Sequence, residues 1–343
     1  MVNARTESVV CSMLAMQRYS WEQGVCAQAL YEAGRSELWI PMAYDAIKRQ
    51  AEDGRLAILG STVAVSDPAA NGEVCFRAYE RTKKSYFLEG ARRMLDYLME
   101  TAPRTEDGVI CHNQESFQPG FSAIQLWIDG LYMVPPFLAV MGLVEEAAEQ
   151  IRGYRKHLLD PETGVFFHIC DTDNHRYVRK KRWATGNGWA WLGLVRVLET
   201  AMQRNNQGIA DELTGYAVSL LDAALKYQEK NGLYHDLMDE SDSFLDGTSA
   251  LMFSAGIYRG VSHGWLDTVY LCHADPAYET MCEQIDDMGI LHGVCGCPDF
   301  QREGTSAEAQ AAFVMADAWK ERCDEKRKNP AKKMALGIKP EHT

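Results

Sequence analysis

The sequence predicts an all-α fold, a closed ring of six helical hairpins, and three observations carry that expectation. Hydrophobic residues recur with helical periodicity along most of the 343 residues, and strand-like alternation appears only in short pieces of the rim loops. A Gly-plus-hydrophobic segment follows helix after helix, beginning at Gly54, Gly108, Gly164, Gly232 and Gly289, at spacings of 54, 56, 68 and 57 residues. A unit of about 57 residues fits into the chain about six times, which is the arithmetic of a closed ring. Alternate helices also differ in character. Segments 187–203, 247–260 and 305–318 are rich in Ala, Gly, Leu and Trp, as an inner layer packed on all sides requires. Segments 37–52, 84–101, 144–158 and 208–229 carry charged faces suited to an outer layer.

Taken in order, the first two helices are expected over 6–18 and 20–32, the second stopping at Gly34, and the third over 37–52. Ser66-Asp67-Pro68 leads to a helix over 71–83, followed by one over 84–101. The apolar run after Asp129 gives a helix over 130–142, and the next spans 144–158. Gly186-Asn187-Gly188 introduces 187–203, with 208–229 behind it. Asp246-Gly247-Thr248 opens 247–260, then 266–288, and Gly304-Thr305-Ser306 opens 305–326. Each long loop leads from an outer helix to the N-terminus of an inner one, so these loops open at one rim, where helix dipoles favour an anionic ligand. Residues 1–326 form the expected barrel domain and 327–343 a basic tail.

Composition excludes several classes. With 48 acidic residues against 35 basic ones, a net charge of −13 argues against nucleic-acid and anionic-membrane partners. No run approaches the roughly 20 apolar residues of a membrane span, and residues 1–5 lack the pattern of a signal peptide. The ten cysteines read as reduced thiols of a cytoplasmic protein, since Cys26 and Cys75 lie on apolar helix faces and Cys295-Gly296-Cys297 is too tight for zinc spacing. No metal, phosphate-loop, dinucleotide or serine-hydrolase motif is present.

The chemistry-bearing residues cluster at the rim. Asp129, inside Trp127-Ile128-Asp129-Gly130-Leu131-Tyr132-Met133, either caps the following helix or serves as a general acid whose pKa is raised by Trp127 and its apolar flank. Asp67 has the same two readings. Two rim carboxyls on separate hairpins suit chemistry on a sugar through an oxocarbenium-like state. Trp183 and Trp189 stand either side of Gly186-Asn187-Gly188 and make a stacking platform for a sugar ring, with core packing the alternative, while Asn187 is otherwise a helix N-cap. His168 lies in a strand-like piece of the rim. His112, His235 and His292 occupy similar places in other units, which favours a shared structural role for some of them.

Together the Trp127–Met133 run and Trp183-Ala184-Thr185-Gly186-Asn187-Gly188-Trp189 resemble glycoside hydrolase family 105, related to the unsaturated glucuronyl hydrolases of family 88. Trp21-Glu22-Gln23-Gly24 and Gly304-Thr305-Ser306-Ala307-Glu308 are similar to further signatures of the family, and the match covers about residues 15–320. The resemblance implies an (α/α)6 barrel. It also implies removal of a 4,5-unsaturated uronic acid from the non-reducing end of a lyase-generated oligosaccharide, by hydration of the vinyl ether and without a metal or organic cofactor. It further implies that Asp129 donates the proton and helps activate water, that Asp67 assists, and that His168, Trp183 and Trp189 bind substrate; Trp127 and Asn187 are expected to bind beside them. The sequence departs from the pattern at Thr185, where the family has an arginine near the substrate, and Arg182 is the candidate to replace it. The alternatives are a glucuronyl preference, a sugar epimerase or isomerase working with a histidine pair, and a non-catalytic sugar-binding barrel. The oligomeric state has no signature.

Overall fold

A computed structural model describes residues 4–328. Helix α1 (Ala4–Met16) lies outside the ring; α2 (Ser20–Glu32) lies inside it and returns through the outer α3 (Ser36–Lys48). The same inner-then-outer order repeats for α4 (Ser66–Thr82) and α5 (Ser85–Asp96), and for the broken inner pair α6 (Gly130–Met133) and α7 (Pro135–Val140) with the outer α8 (Val144–Leu158). It repeats again for α9 (Ala184–Gln203) and α10 (Gln207–Ala224), and for α11 (Gly247–His263) and α12 (Leu271–Glu283). The last inner helix, α13 (Ala307–Lys328), packs on α1, so the two ends of the described chain make the sixth hairpin. Inner helices contact in the order α2, α4, α6–α7, α9, α11, α13 and back to α2, which closes an (α/α)6 barrel. Burial follows the layers. Every residue from Ala184 to Ala201 of α9 is buried, whereas α8 and α10 bury one face.

The five glycines that mark the sequence repeat, Gly54, Gly108, Gly164, Gly232 and Gly289, all have φ between +79° and +101°. The repeat is therefore a conformational one, a left-handed residue in the turn that follows each of the outer helices α3, α5, α8, α10 and α12. Two expected boundaries are corrected. The helix anticipated over 71–83 begins at Ser66, with Pro68 in its first turn, where a missing N–H costs nothing. The helix anticipated over 130–142 is split, because Pro135 and Pro136 cannot donate to the preceding turn and open α7 afresh. Past Lys328, the basic tail lies outside the described residues.

Short antiparallel strands brace the rim: β1 (Gln125–Trp127), β2 (Ile169–Asp171) and β3 (Arg176–Arg179) in one sheet, β4 (Tyr234–His235) with β5 (Leu245–Asp246), and β6 (Val294–Cys295) with β7 (Glu303–Gly304). Trp127 pairs with Ile169, which sets Trp127 beside His168. At the other end of the ring, towards the inner-helix C-termini, buried charges close the barrel. Arg196 bonds Glu32 and lies 3.1 Å from Glu73, and Arg259 joins Glu32 (2.7 Å) to Glu199 (2.5 Å). All ten cysteines are unpaired, and no described helix is long and apolar enough to cross a membrane.

Candidate active site

A cavity of about 350 Å³ opens at the rim over the inner-helix N-termini. Its wall includes Asp67, Asp129, His112, His168, Trp127, Trp183 and Trp189, joined by Tyr19, Trp21, Phe117, Phe300 and Glu308. Each polar group is delivered by a different segment. Asp67 sits in the first turn of α4, Asp129 immediately precedes α6, and His112 lies on the loop between α5 and β1. The backbone of His112 is clamped from both sides, its carbonyl accepting from Val65 N (3.0 Å) and its amide donating to Gln125 O (3.0 Å). That clamp ties the α4 N-terminus to β1 and so brings Asp67 towards Asp129.

The two aspartates share one histidine. His112 Nδ1 is 3.5 Å from an Asp129 carboxylate oxygen and 2.7 Å from Ser66 Oγ, while its Nε2 is 4.0 Å from Asp67. One ligating atom from each of the three residues lies within 4.8 Å of the other two. Neither carboxyl caps a helix. The Asp129 side chain makes no cap bond and its Oδ1 is buried without a partner, and Asp67 lies inside α4 rather than ahead of it. Burial therefore dominates their ionisation. It raises the Asp129 pKa above the ordinary carboxyl value against the opposing pull of His112 and of its own backbone amide. Burial likewise lifts Asp67 to about 6, lowered in part by His112 and raised further by the Asp129 charge. For a proton donor, burial has to outweigh the groups that favour the charged form, and the Asp129 shift is upward.

Aromatic packing fixes the remaining geometry. His112 stacks on Trp127 with centroids 4.4 Å apart, and His168 stacks on Trp183 at 4.5 Å. Arg179 donates to His168 Nδ1 at 3.2 Å, so the neutral ring carries its proton on Nε2. Burial first, then the Arg179 charge, holds the His168 pKa well below its ordinary value. The Trp183 indole is anchored on Asp236 at 3.1 Å, and Trp189 packs against Tyr132 at 4.7 Å. Trp191 is core instead, fully buried and donating to Phe253 O.

Two residues expected to contact substrate lie elsewhere. The Arg182 guanidinium is held by Asp160 at 2.6 Å and by Asp239, over the Phe167 ring, outside the cavity wall. The Asn187 side chain neither caps α9 nor faces the cavity. Its amide clamps Phe166 N (2.8 Å) and O (3.1 Å) and Trp183 O (2.9 Å), which staples the rim strand to the helix. Thr185, at the position of the missing arginine, is buried and donates to Asp246 at 2.7 Å. The histidines of the repeat divide: His112 and His168 enter the cavity, whereas His235 bonds Ser243 O and His292 bonds Asp286 locally. His112 and Glu308 also line the cavity, and their signals in the sequence are the repeat itself for His112 and the Gly-Thr-Ser turn ahead of Glu308.

Comparison with known proteins gives the family and the fold. The family model described as Glycosyl Hydrolase Family 88 matches residues 1–330. The unsaturated rhamnogalacturonyl hydrolase YesR of Bacillus subtilis is 26% identical over 256 residues, covering 70% of this chain and 72% of YesR. A possible member of family 105 from Salmonella enterica superposes with a TM-score of 0.79 at 22% identity, over 94% of this chain and 93% of that one. A family 105 glycoside hydrolase from C. acetobutylicum gives 0.74 at 18% identity, over 92% and 99%.

Proposed function

We propose, from the premise that this chain belongs to glycosyl hydrolase family 88, that it removes a 4,5-unsaturated uronic acid from the non-reducing end of short lyase-generated oligosaccharides by hydrating the vinyl ether. The likeness to YesR supports the rhamnogalacturonyl type of substrate. The observation that carries the reaction is the Asp67–His112–Asp129 cluster, two carboxyls on one histidine beside an aromatic-walled cavity. An inverting glycosidase keeps its carboxyls about 6.5–9.5 Å apart with a water between them, whereas here an oxygen of Asp67 and one of Asp129 lie within 4.8 Å of each other and of a shared histidine. It suits transfer of a proton to an alkene carbon followed by addition of water.

In the reaction, Asp129 gives its proton to C4. Positive charge then spreads over C5 and the ring oxygen, and water adds at C5 and gives its proton back to the Asp129 carboxylate. The C5–ring-oxygen bond of the hemiketal then breaks, and the hemiacetal left at C1 expels the sugar. Asp67, ionised above about pH 6, takes up positive charge in the cluster, and His112 holds the two carboxyls in register. Neutral His168 offers its Nε2–H to the bound ring, and Trp183 and Trp127 give it faces to lie against. The protein would work in the cytoplasm without a cofactor. An epimerase needs two histidines on opposite sides of the sugar. His112 and His168 both pack against Trp127, and so share a wall. The test is loss of the ultraviolet absorbance of the conjugated C=C in an unsaturated disaccharide. Wild-type protein is expected to bleach it and Asp129→Asn to slow the reaction by about 10²–10⁴-fold. Full activity in Asp129→Asn contradicts the assignment.

A further inference from the structure

A uronate brings its own carboxylate into a wall that already holds Asp67, Asp129 and Glu308, and among the described residues no lysine or arginine lines that wall. The arginine of the family pattern is Thr185 here, its hydroxyl committed to Asp246, and Arg182 is committed to Asp160 and Asp239. One wall residue offers a different solution. Glu308, in the first turn of α13, faces Glu22 of α2, with ligating atoms of the two within 4.8 Å of each other and of Cys297 Sγ. Both glutamates are almost wholly buried. Glu22 is fixed as an acceptor: its Oε2 takes the amides of Arg18 and Tyr19, and its Oε1 lies 3.6 Å from the Arg18 guanidinium. Glu308 receives one side-chain donor, Trp21 Nε1, at 3.2 Å on Oε2, beside its own backbone amide. Two buried acids thus face one half-exposed cation, and that cation serves Glu22.

We propose that Glu308 is the specificity-determining residue of the cavity, a neutral carboxylic acid that donates a hydrogen bond to the carboxylate of the uronate ring in place of the missing guanidinium. The inference rests on the uronyl-hydrolase reading above. A carboxyl kept protonated so that it can donate is a known use of burial beside a like charge. Of the groups facing Glu308, the acids push in that direction, and Trp21 and the backbone amide of Glu308 itself pull against it. Glu22 comes from α2 and Asp129 from the start of α6, while the nearby thiols of Cys26 on α2 and of Cys295 and Cys297 on the β6–β7 hairpin are themselves raised by burial and stay neutral. Burial and then the Glu22 charge lift Glu308 to about 8. Recognition is therefore conditional on pH, as an arginine's would not be.

The test is equilibrium binding of D-galacturonate and of its methyl ester, read by tryptophan fluorescence between pH 6.5 and 9.5. Galacturonate has no double bond, so a failure of the hydrolase reading shows separately, as unsaturated disaccharides left intact. In the wild type the galacturonate Kd is expected to rise about tenfold per pH unit above about 8, while the ester Kd stays flat. Glu308→Gln, whose amide donates at every pH, is expected to bind galacturonate with a flat profile near the low-pH wild-type affinity, and Glu308→Ala to bind it weakly throughout. A flat wild-type profile, an equal pH dependence for the ester, an unchanged dependence in Glu308→Gln, or no binding at pH 6.5 overturns the proposal.

Discussion

Replacing Asp67 by asparagine is expected to stabilise the protein at alkaline pH while impairing catalysis. The carboxyl is 6% exposed, and burial lifts its pKa from the ordinary 3.8 to about 6. Below about pH 4 folded and unfolded chains both hold the proton, and the group costs nothing. As pH rises the unfolded chain ionises first. Above about pH 6 the folded chain has ionised as well, in an environment that disfavours the charge. At about 1.4 kcal/mol per tenfold difference in proton affinity, the penalty reaches about 3 kcal/mol and stays there. The asparagine side chain keeps the shape without the charge. Thermal melts should then show Asp67→Asn about 5 °C above wild type at pH 8, with the gap closing towards pH 4. Turnover of an unsaturated disaccharide should fall in the same preparation. Equal melting temperatures at pH 8, or a gap that does not depend on pH, would refute the idea that burial controls this carboxyl.

Two further substitutions probe the frame around the site. Arg196→Met leaves Glu73 with only Arg77, at 3.7 Å, and deprives Glu32 of one of its two arginines. Breaking such a buried network should cost about 3–5 kcal/mol in denaturant unfolding, and a loss below about 1 kcal/mol would contradict it. Arg182→Ala, by contrast, should leave KM unchanged and lower only stability, because the guanidinium is bound to Asp160 and Asp239 outside the cavity. A KM that rises with intact melting behaviour would put Arg182 back in contact with substrate.

The ring was legible because its punctuation is chemical. A left-handed turn after five of the six outer helices selects glycine, and these glycines recur every 54 to 68 residues. The alternation of small-residue and amphipathic helices was legible for the same reason, since full burial and half burial demand different compositions. Individual side chains were harder to read. Arg182 and Asn187 look like site residues by position, yet each is claimed by a partner on a distant segment, Asp239 in one case and Phe166 in the other. His112 carries no local mark, because what sets it apart is that it lies between Asp67 and Asp129, which come from two hairpins. The capping and catalytic readings of Asp129 could not be separated without its Oδ1 in view, unpartnered and buried.

The most direct measurement is proton NMR of the reaction products in D2O. If Asp129 protonates the vinyl ether, the released uronate derivative carries solvent deuterium at C4 and no longer contains the double bond, and Asp129→Asn slows deuterium incorporation and sugar release together. A product that keeps its C4=C5 double bond, with no deuterium at C4, would mean that water attacks the glycosidic carbon and that the Asp67–His112–Asp129 cluster does something else.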